Sequence, residues 1–242
     1  MPILEFRDVS YEIAGKRILD RVTFAVEAGE TLVLLGRSGS GKTTALKLTN
    51  GMLMPSLGQV LVEGRPTSDW DPIRLKRHIG YVIQEVGLFP HFTVGANVGL
   101  VPALEGWDAA RIAQRVDQLL QAVALPPSDF RSRYPSQLSG GQRQRVGVAR
   151  ALAADPAMLL FDEPFGALDP ITRAELQQQF LALRRDFQKT SLFVTHDVRE
   201  ATRLGTRIAL LANGRMELIA APDEFRRSQT AEARAFLNVL ED

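Results

Sequence analysis

The sequence contains no cysteine, which excludes a disulfide framework and any thiolate metal site and suits a reducing compartment. Long hydrophobic runs are missing too: the strongest, residues 32–35, 158–161 and 208–212, fall far short of the ~20 residues that cross a bilayer. Any membrane role must therefore run through a partner. The opening residues Met1-Pro2-Ile3-Leu4-Glu5-Phe6-Arg7 have neither a basic start followed by an apolar stretch nor a small-residue cleavage site, so export is not expected. Nor is there an excess of charge of either sign. The 29 basic and 28 acidic side chains leave a formal +1, and with no polybasic run nucleic acid is not expected as a partner.

What is present is an apolar fraction of 45% over 242 residues, enough for one substantial core with a subdomain inserted into it. Runs of strand length alternate with segments of helical period, the pattern of an α/β fold whose mostly parallel sheet is covered by helices. Residues 3–6, 22–26 and 59–63 read as strands of an N-terminal, partly antiparallel portion, and 31–35, 81–83, 157–161 and 192–195 as buried strands. Ile112, Val116, Leu119, Leu120 and Val123 share one helical face, as do Leu176, Phe180, Leu183 and Phe187, and each set reads as a core face. Between residues 87 and 150 the strand signal lapses and Pro90, Pro102, Pro126, Pro127 and Pro135 punctuate helices. A helical subdomain, 87–150, is therefore expected inside a single domain, 1–242. Residues 221–242 read as one or two amphipathic helices.

Gly36-Arg37-Ser38-Gly39-Ser40-Gly41-Lys42-Thr43 directly follows the apolar strand 31–35 and fits the phosphate-binding pattern G-x-x-x-x-G-K-[ST]. Its glycines let backbone N–H groups turn inward at the start of a helix, an arrangement that cradles phosphate oxygens. Lys42 would reach the β- and γ-phosphates, the Thr43 hydroxyl would ligate Mg²⁺, and Thr44 completes the nucleotide-binding set. A nucleoside triphosphate is the expected ligand. Further on, the run 158–161 ends in Asp162-Glu163-Pro164, two carboxylates at the carboxyl end of a strand, where α/β proteins bind ligands. In a P-loop protein Asp162 would hold the metal through its water shell, and Glu163 would polarise the water that attacks the γ-phosphate.

Between these two motifs lies Leu138-Ser139-Gly140-Gly141-Gln142, a polar, glycine-rich break between a proline-containing loop and an Arg/Ala/Val helix. Ser139 can cap a helix beginning near Gln142, and Gly140 and Gly141 leave the helix N-terminus bare, so a second anion site is expected. With its motifs in this order, the sequence resembles the ATP-binding cassette (ABC) ATPases over residues 3 to about 220. The resemblance implies a P-loop NTPase core and two subunits paired head to tail, each ATP lying between the Walker A loop of one and Ser139, Gly140, Gly141 and Gln142 of the other. It implies that Tyr11 stacks on adenine and that Gln84 senses magnesium and the attacking water while contacting a membrane partner. It also implies that Ala167-Leu168-Asp169 communicates across the dimer and that His196 contacts the γ-phosphate. Gly166 stands where many members carry serine, which puts one cross-dimer hydrogen bond in question.

One ATPase unit without a transmembrane segment resembles the separate ATPase subunits of bacterial importers. Residues 80–94 and 162–173 look most like the subgroup that energises uptake of glycine betaine, choline and related osmoprotectants, with amino-acid or other small polar solute importers as the alternative. The resemblance implies a Mg-dependent ATPase coupled to transport, acting as a homodimer with integral membrane permease subunits and, indirectly, a solute-binding protein. Its place would be the cytoplasmic face of the inner (plasma) membrane, held there through the permease. Leu88, Phe89, Pro90 and Phe92 are apolar without strand alternation and read as the floor of a groove, within 84–98, for a cytoplasmic helix of the permease. Many osmoprotectant ATPases also end in paired regulatory nucleotide-binding repeats; the sequence stops before any such module, and regulation through one is not expected. A family member acting in DNA repair or translation would show a long coiled-coil insertion or two cassettes, a silent subunit would lack Glu163 or His196, and a small-molecule kinase would have no use for residues 138–142.

Overall fold

The computed structural model of the chain describes residues 1–84, 87–166 and 168–241, with side chains to Val239. Glu85 and Val86 of the expected docking segment and Ala167 of the expected cross-dimer loop lie outside the described residues. The chain divides into two units, Met1–Lys76 with Lys189–Asp242, and Arg77–Gln188.

In the first unit, β1 (Leu4–Ile13) and β2 (Lys16–Val26) form an antiparallel hairpin closed by Ala14 and Gly15. Both turn residues have positive φ, 49° and 74°, the geometry of a two-residue loop whose twist matches that of paired strands. The hairpin is longer than the runs 3–6 and 22–26 suggest, because its far half is exposed and polar and so carries no apolar signature. The near half buries Phe6 against Phe24, rings stacked at 4.4 Å. β4 (Leu57–Val62) pairs with β1, and the short β5 (Arg65–Pro66) with β4, again antiparallel.

The other sheet of this unit centres on β3 (Thr31–Leu35), buried at every position. β3 has parallel neighbours on both sides, β8 (Thr190–Thr195) and β9 (Arg207–Ala212), which is why it reads as an unbroken apolar run. Asn213 and Gly214, with φ of 50° and 76°, turn the chain into β10 (Arg215–Ala220), antiparallel to β9. The helices here are α1 (Lys42–Thr49), α8 (Val198–Leu204), α9 (Pro222–Arg226) and α10 (Ala231–Glu241). The last two are the pair expected in 221–242. α2 (Pro72–His78) bridges the sequence border of the units.

The second unit pairs β6 (Ile79–Val82) in parallel with β7 (Met158–Asp162). Around them lie α3 (Val94–Leu104), α4 (Ala109–Ala122), α5 (Pro127–Phe130), α6 (Gly140–Leu152) and α7 (Pro170–Phe187). α4 starts at an Asp108 cap, whose Oδ1 accepts from Arg111 N at 2.8 Å, and buries Val116, Leu119 and Leu120 as its 3.6-residue period requires. α7 buries Leu176, Phe180 and Leu183, with Phe180 edge-on to Phe161 of β7 at 5.1 Å. The parallel pairs, the antiparallel N-terminal sheet and the helical stretch are the architecture expected of the sequence.

Candidate functional site

The phosphate loop joins β3 to α1, and close approach decides its shape. A Cβ on Gly36 would collide with the Leu211 carbonyl of β9 and come within 2.6 Å of Ser40 Oγ, and one on Gly41 would come within 2.5 Å of Leu19 Cδ2. Gly41 also has φ 106° and caps α1 without any side-chain hydrogen bond. No N-cap side chain satisfies the first N–H groups of the helix, an arrangement that suits an anion. Lys42 is buried, and its Nζ donates to the carbonyls of Gly36 at 2.7 Å and Arg37 at 2.9 Å. Ser40 Oγ is buried with no hydrogen-bond partner among the described residues. Thr43 and Thr44 are half-buried in the first turn, whereas Arg37, Ser38 and Gly39 are exposed. Tyr11 is half-buried on β1 opposite Leu19, the residue that packs on Gly41. One contact was not legible beforehand: Arg37 Nε donates to Glu232 Oε1 of α10 at 2.7 Å.

His196 follows β8, is exposed, and lines a pocket with Arg37, Arg199 and Phe236. Its neighbour Thr195 is buried, donates through Oγ1 to the buried Glu200 Oε2 at 2.6 Å and accepts from Asp197 N at 3.0 Å. Asp197 in turn caps α8, its Oδ1 accepting from Arg199 N at 2.7 Å. These bonds fix the backbone on both sides of the histidine.

In the second unit Asp162 ends β7 and Glu163 takes a left-handed backbone, φ 44°, uncommon for a residue with a side chain and typical of turns at working sites. Gly166 N donates to Glu163 O at 3.2 Å. A Cβ on Gly166 would lie 3.7 Å from Gln84 Nε2 and 4.0 Å from Glu163 Oε2, so Gln84 and Glu163 converge on the spot that the missing serine side chain would occupy. Tyr81 Oη donates to Asp162 Oδ2 at 3.1 Å. Burial first, and then the adjacent Asp162 charge, push the Tyr81 phenol up, and it keeps its proton.

Ser139 caps α6. Its Oγ accepts from Gln142 N at 3.2 Å while Gln142 Oε1 accepts from Ser139 N at 2.9 Å, a reciprocal capping box. The helix begins at Gly140 and not near Gln142, because this box lets the two glycines form the first turn. A Cβ on Gly141 would lie 2.6 Å from Thr172 Cγ2, so the start of α6 abuts the start of α7. Asp169 caps α7, its Oδ1 accepting from Ile171 N at 3.1 Å and Thr172 N at 3.0 Å. The Thr172 side chain and these amides hold its carboxyl below the usual range.

Among the described residues no group of three or more His, Cys, Asp or Glu side chains would hold a metal by itself. The oxygens expected at the metal, from Thr43, Gln84 and Asp162, are hard donors suited to magnesium, which keeps waters and phosphate oxygens in its shell instead of a protein cage. The tight loop, the orphan Ser40 hydroxyl and the uncapped α1 fit a phosphate chain. No helix among the described residues is long and apolar enough to cross a membrane.

The osmoprotectant import ATP-binding protein OsmV of Salmonella typhimurium is 51% identical over 208 residues, covering 86% of this chain and 54% of that protein. The choline transport ATP-binding protein OpuBA of Bacillus subtilis is 45% identical over 218 residues, covering 90% of this chain and 57% of that protein. The chain therefore spans about half the length of these relatives. Among solved structures, the dimeric post-hydrolysis state of the ATP-binding cassette MJ0796 bound to ADP and Pi is similar, with a TM-score of 0.79 and 32% identity, covering 90% of this chain and 98% of that one. Residues 19–166 match the family profile described as ABC transporter; that span holds the phosphate loop, Gln84, the Ser139 cap and the acid pair, and the chain belongs to the ABC transporter family.

Proposed function

We propose that this chain is the ATP-hydrolysing subunit of a bacterial importer, pairing with a second copy beneath a membrane permease and serving glycine betaine, choline or a related osmoprotectant. The relatives' names, one an osmoprotectant importer protein and one a choline transporter, support the solute class. The observation that carries the ATPase reading is the phosphate loop, where a buried lysine, two glycines held by close approach and an uncapped helix converge.

In this reading the N–H groups of 36–44 and the Lys42 ammonium bind the phosphates, with Tyr11 against the adenine. Thr43 and Gln84, with Asp162 through the water shell, would hold magnesium, which when bound would supply Lewis-acid stabilisation of the phosphate charge. Glu163 takes a proton from the attacking water, Gln84 orients that water, and His196 donates towards the γ-phosphate. Ser139, Gly140, Gly141 and Gln142 supply the second anion site to the partner subunit's nucleotide, and Asp169 lies on the facing surface. The helical stretch 87–150 carries this signature, and the segment 84–98 at its start receives the permease at the cytoplasmic face of the membrane. A solute-binding protein delivers cargo to the permease.

The test is magnesium-dependent ATP hydrolysis by the purified chain, with and without the permease, and uptake by a strain lacking its own osmoprotectant importers. Hydrolysis that disappears in Lys42→Ala, with uptake of betaine or choline, is expected. No hydrolysis by the unmodified chain in either setting overturns the ATPase reading, and uptake of amino acids instead overturns the solute class.

A further inference from the structure

Tyr81 of β6 stands opposite Leu160 of β7. Leu160 and Asp162 project from the same face of β7, because side chains alternate along a strand. A tyrosine is long enough to span the diagonal between neighbouring strands, and its Oη meets Asp162 Oδ2 at 3.1 Å. Both side chains are half-buried. An aspartate carboxyl turns in a broad, two-fold well about its last torsion; a bond to one oxygen narrows that freedom and favours one plane for the other.

We infer that Tyr81 is a positioning residue for magnesium: its hydroxyl orients the Asp162 carboxylate towards the metal's water shell. This rests on the role proposed for Asp162. Partners of direct metal ligands typically change metal affinity 10–100-fold when removed; Asp162 meets the metal through water, so Tyr81→Phe, which removes only the oxygen, is expected at the low end of that range.

The probe is Mn²⁺, followed by electron paramagnetic resonance with ATP and Glu163→Gln protein, so that no turnover enters the reading. Adding Tyr81→Phe is expected to weaken Mn²⁺ binding about 10-fold, while ATP binding in EDTA and the thermal midpoint stay unchanged. Unchanged Mn²⁺ affinity overturns the inference. So does a variant whose ATP binding in EDTA falls as far as its Mn²⁺ binding, since that marks a packing role. Asp162→Asn is run beside it: if that variant keeps full Mn²⁺ affinity, the metal assignment of Asp162 fails, and the inference with it.

Discussion

Asn97 clasps both backbone polar groups of Phe89: Oδ1 accepts from Phe89 N at 2.8 Å and Nδ2 donates to Phe89 O at 3.1 Å. Its two Nδ2 hydrogens are shared with the carbonyls of Phe92 and Thr93, at 3.1 and 3.0 Å. Asn97 is wholly buried while Phe89 is 41% exposed. One buried side chain on α3 thus holds the loop that presents Phe89, His91 and Phe92, whose rings lie 4.6 to 6.1 Å apart.

Asn97→Ala should destabilise the protein by about 1–3 kcal/mol, because the part-buried Phe89 N and Phe92 O lose the amide, while Phe89 O keeps Phe92 N and Thr93 O keeps the Asn97 N–H. At ~2–4 °C per kcal/mol for a chain of this size, differential scanning calorimetry would show a drop of several degrees. A midpoint equal to that of the unmodified protein would show that the clasp contributes nothing.

Replacing Phe89 and Phe92 with polar residues should leave ATP binding intact and uncouple it from transport. Co-purification with the permease, read beside the thermal midpoint, decides between docking and packing. Phe92 is half-buried, so a double variant that unfolds early supports packing. A stable one that still binds the permease and drives uptake refutes the docking role.

Glu163→Gln should retain ATP, cut steady-state turnover by ~10²-fold or more, as loss of a general base does, and trap an ATP-bound dimer visible by size exclusion. Near-normal turnover would remove Glu163 from the base role.

If residues 139–142 act on the partner's nucleotide, Ser139→Arg should abolish ATP-induced dimerisation, because a long cation would replace a helix cap at the second anion site. Mixing it with Lys42→Ala subunits should yield dimers with one intact site and partial hydrolysis. Ser139→Arg protein that dimerises like the unmodified chain would refute action in trans.

The phosphate loop, the capped signature and the acid pair were legible because each is contiguous in sequence and each sits where a strand meets a turn or a helix begins. The hairpin β1–β2 was only half legible, since its exposed tip, residues 12–17, lacks an apolar face to betray it. Asn213-Gly214 was a readable turn dipeptide, but only pairing shows that it closes β9 on β10. Tyr81 with Asp162, 81 positions apart, and Arg37 with Glu232, 195 apart, depend on which elements become neighbours. No local pattern records that. Asp169 illustrates a second duty hidden by the first: the sequence suggests a cross-dimer residue, and the structure shows a helix cap.

The turn at Asn213 and Gly214 also sets a timetable. Gly214 N donates to Ser40 O at 3.2 Å, its carbonyl accepts from Asp20 N at 2.8 Å, and Leu211 closes on Gly36, so a segment about 170 residues further along the sequence braces the phosphate loop. During translation, at ~5–20 residues per second, that loop emerges roughly ten to thirty seconds before its brace, and before the strands that flank β3 on either side. The loop therefore lacks these backbone contacts until residue 214 has been made, and a nonsense codon ahead of Gly214 is expected to weaken nucleotide binding although every residue of the loop had already been made.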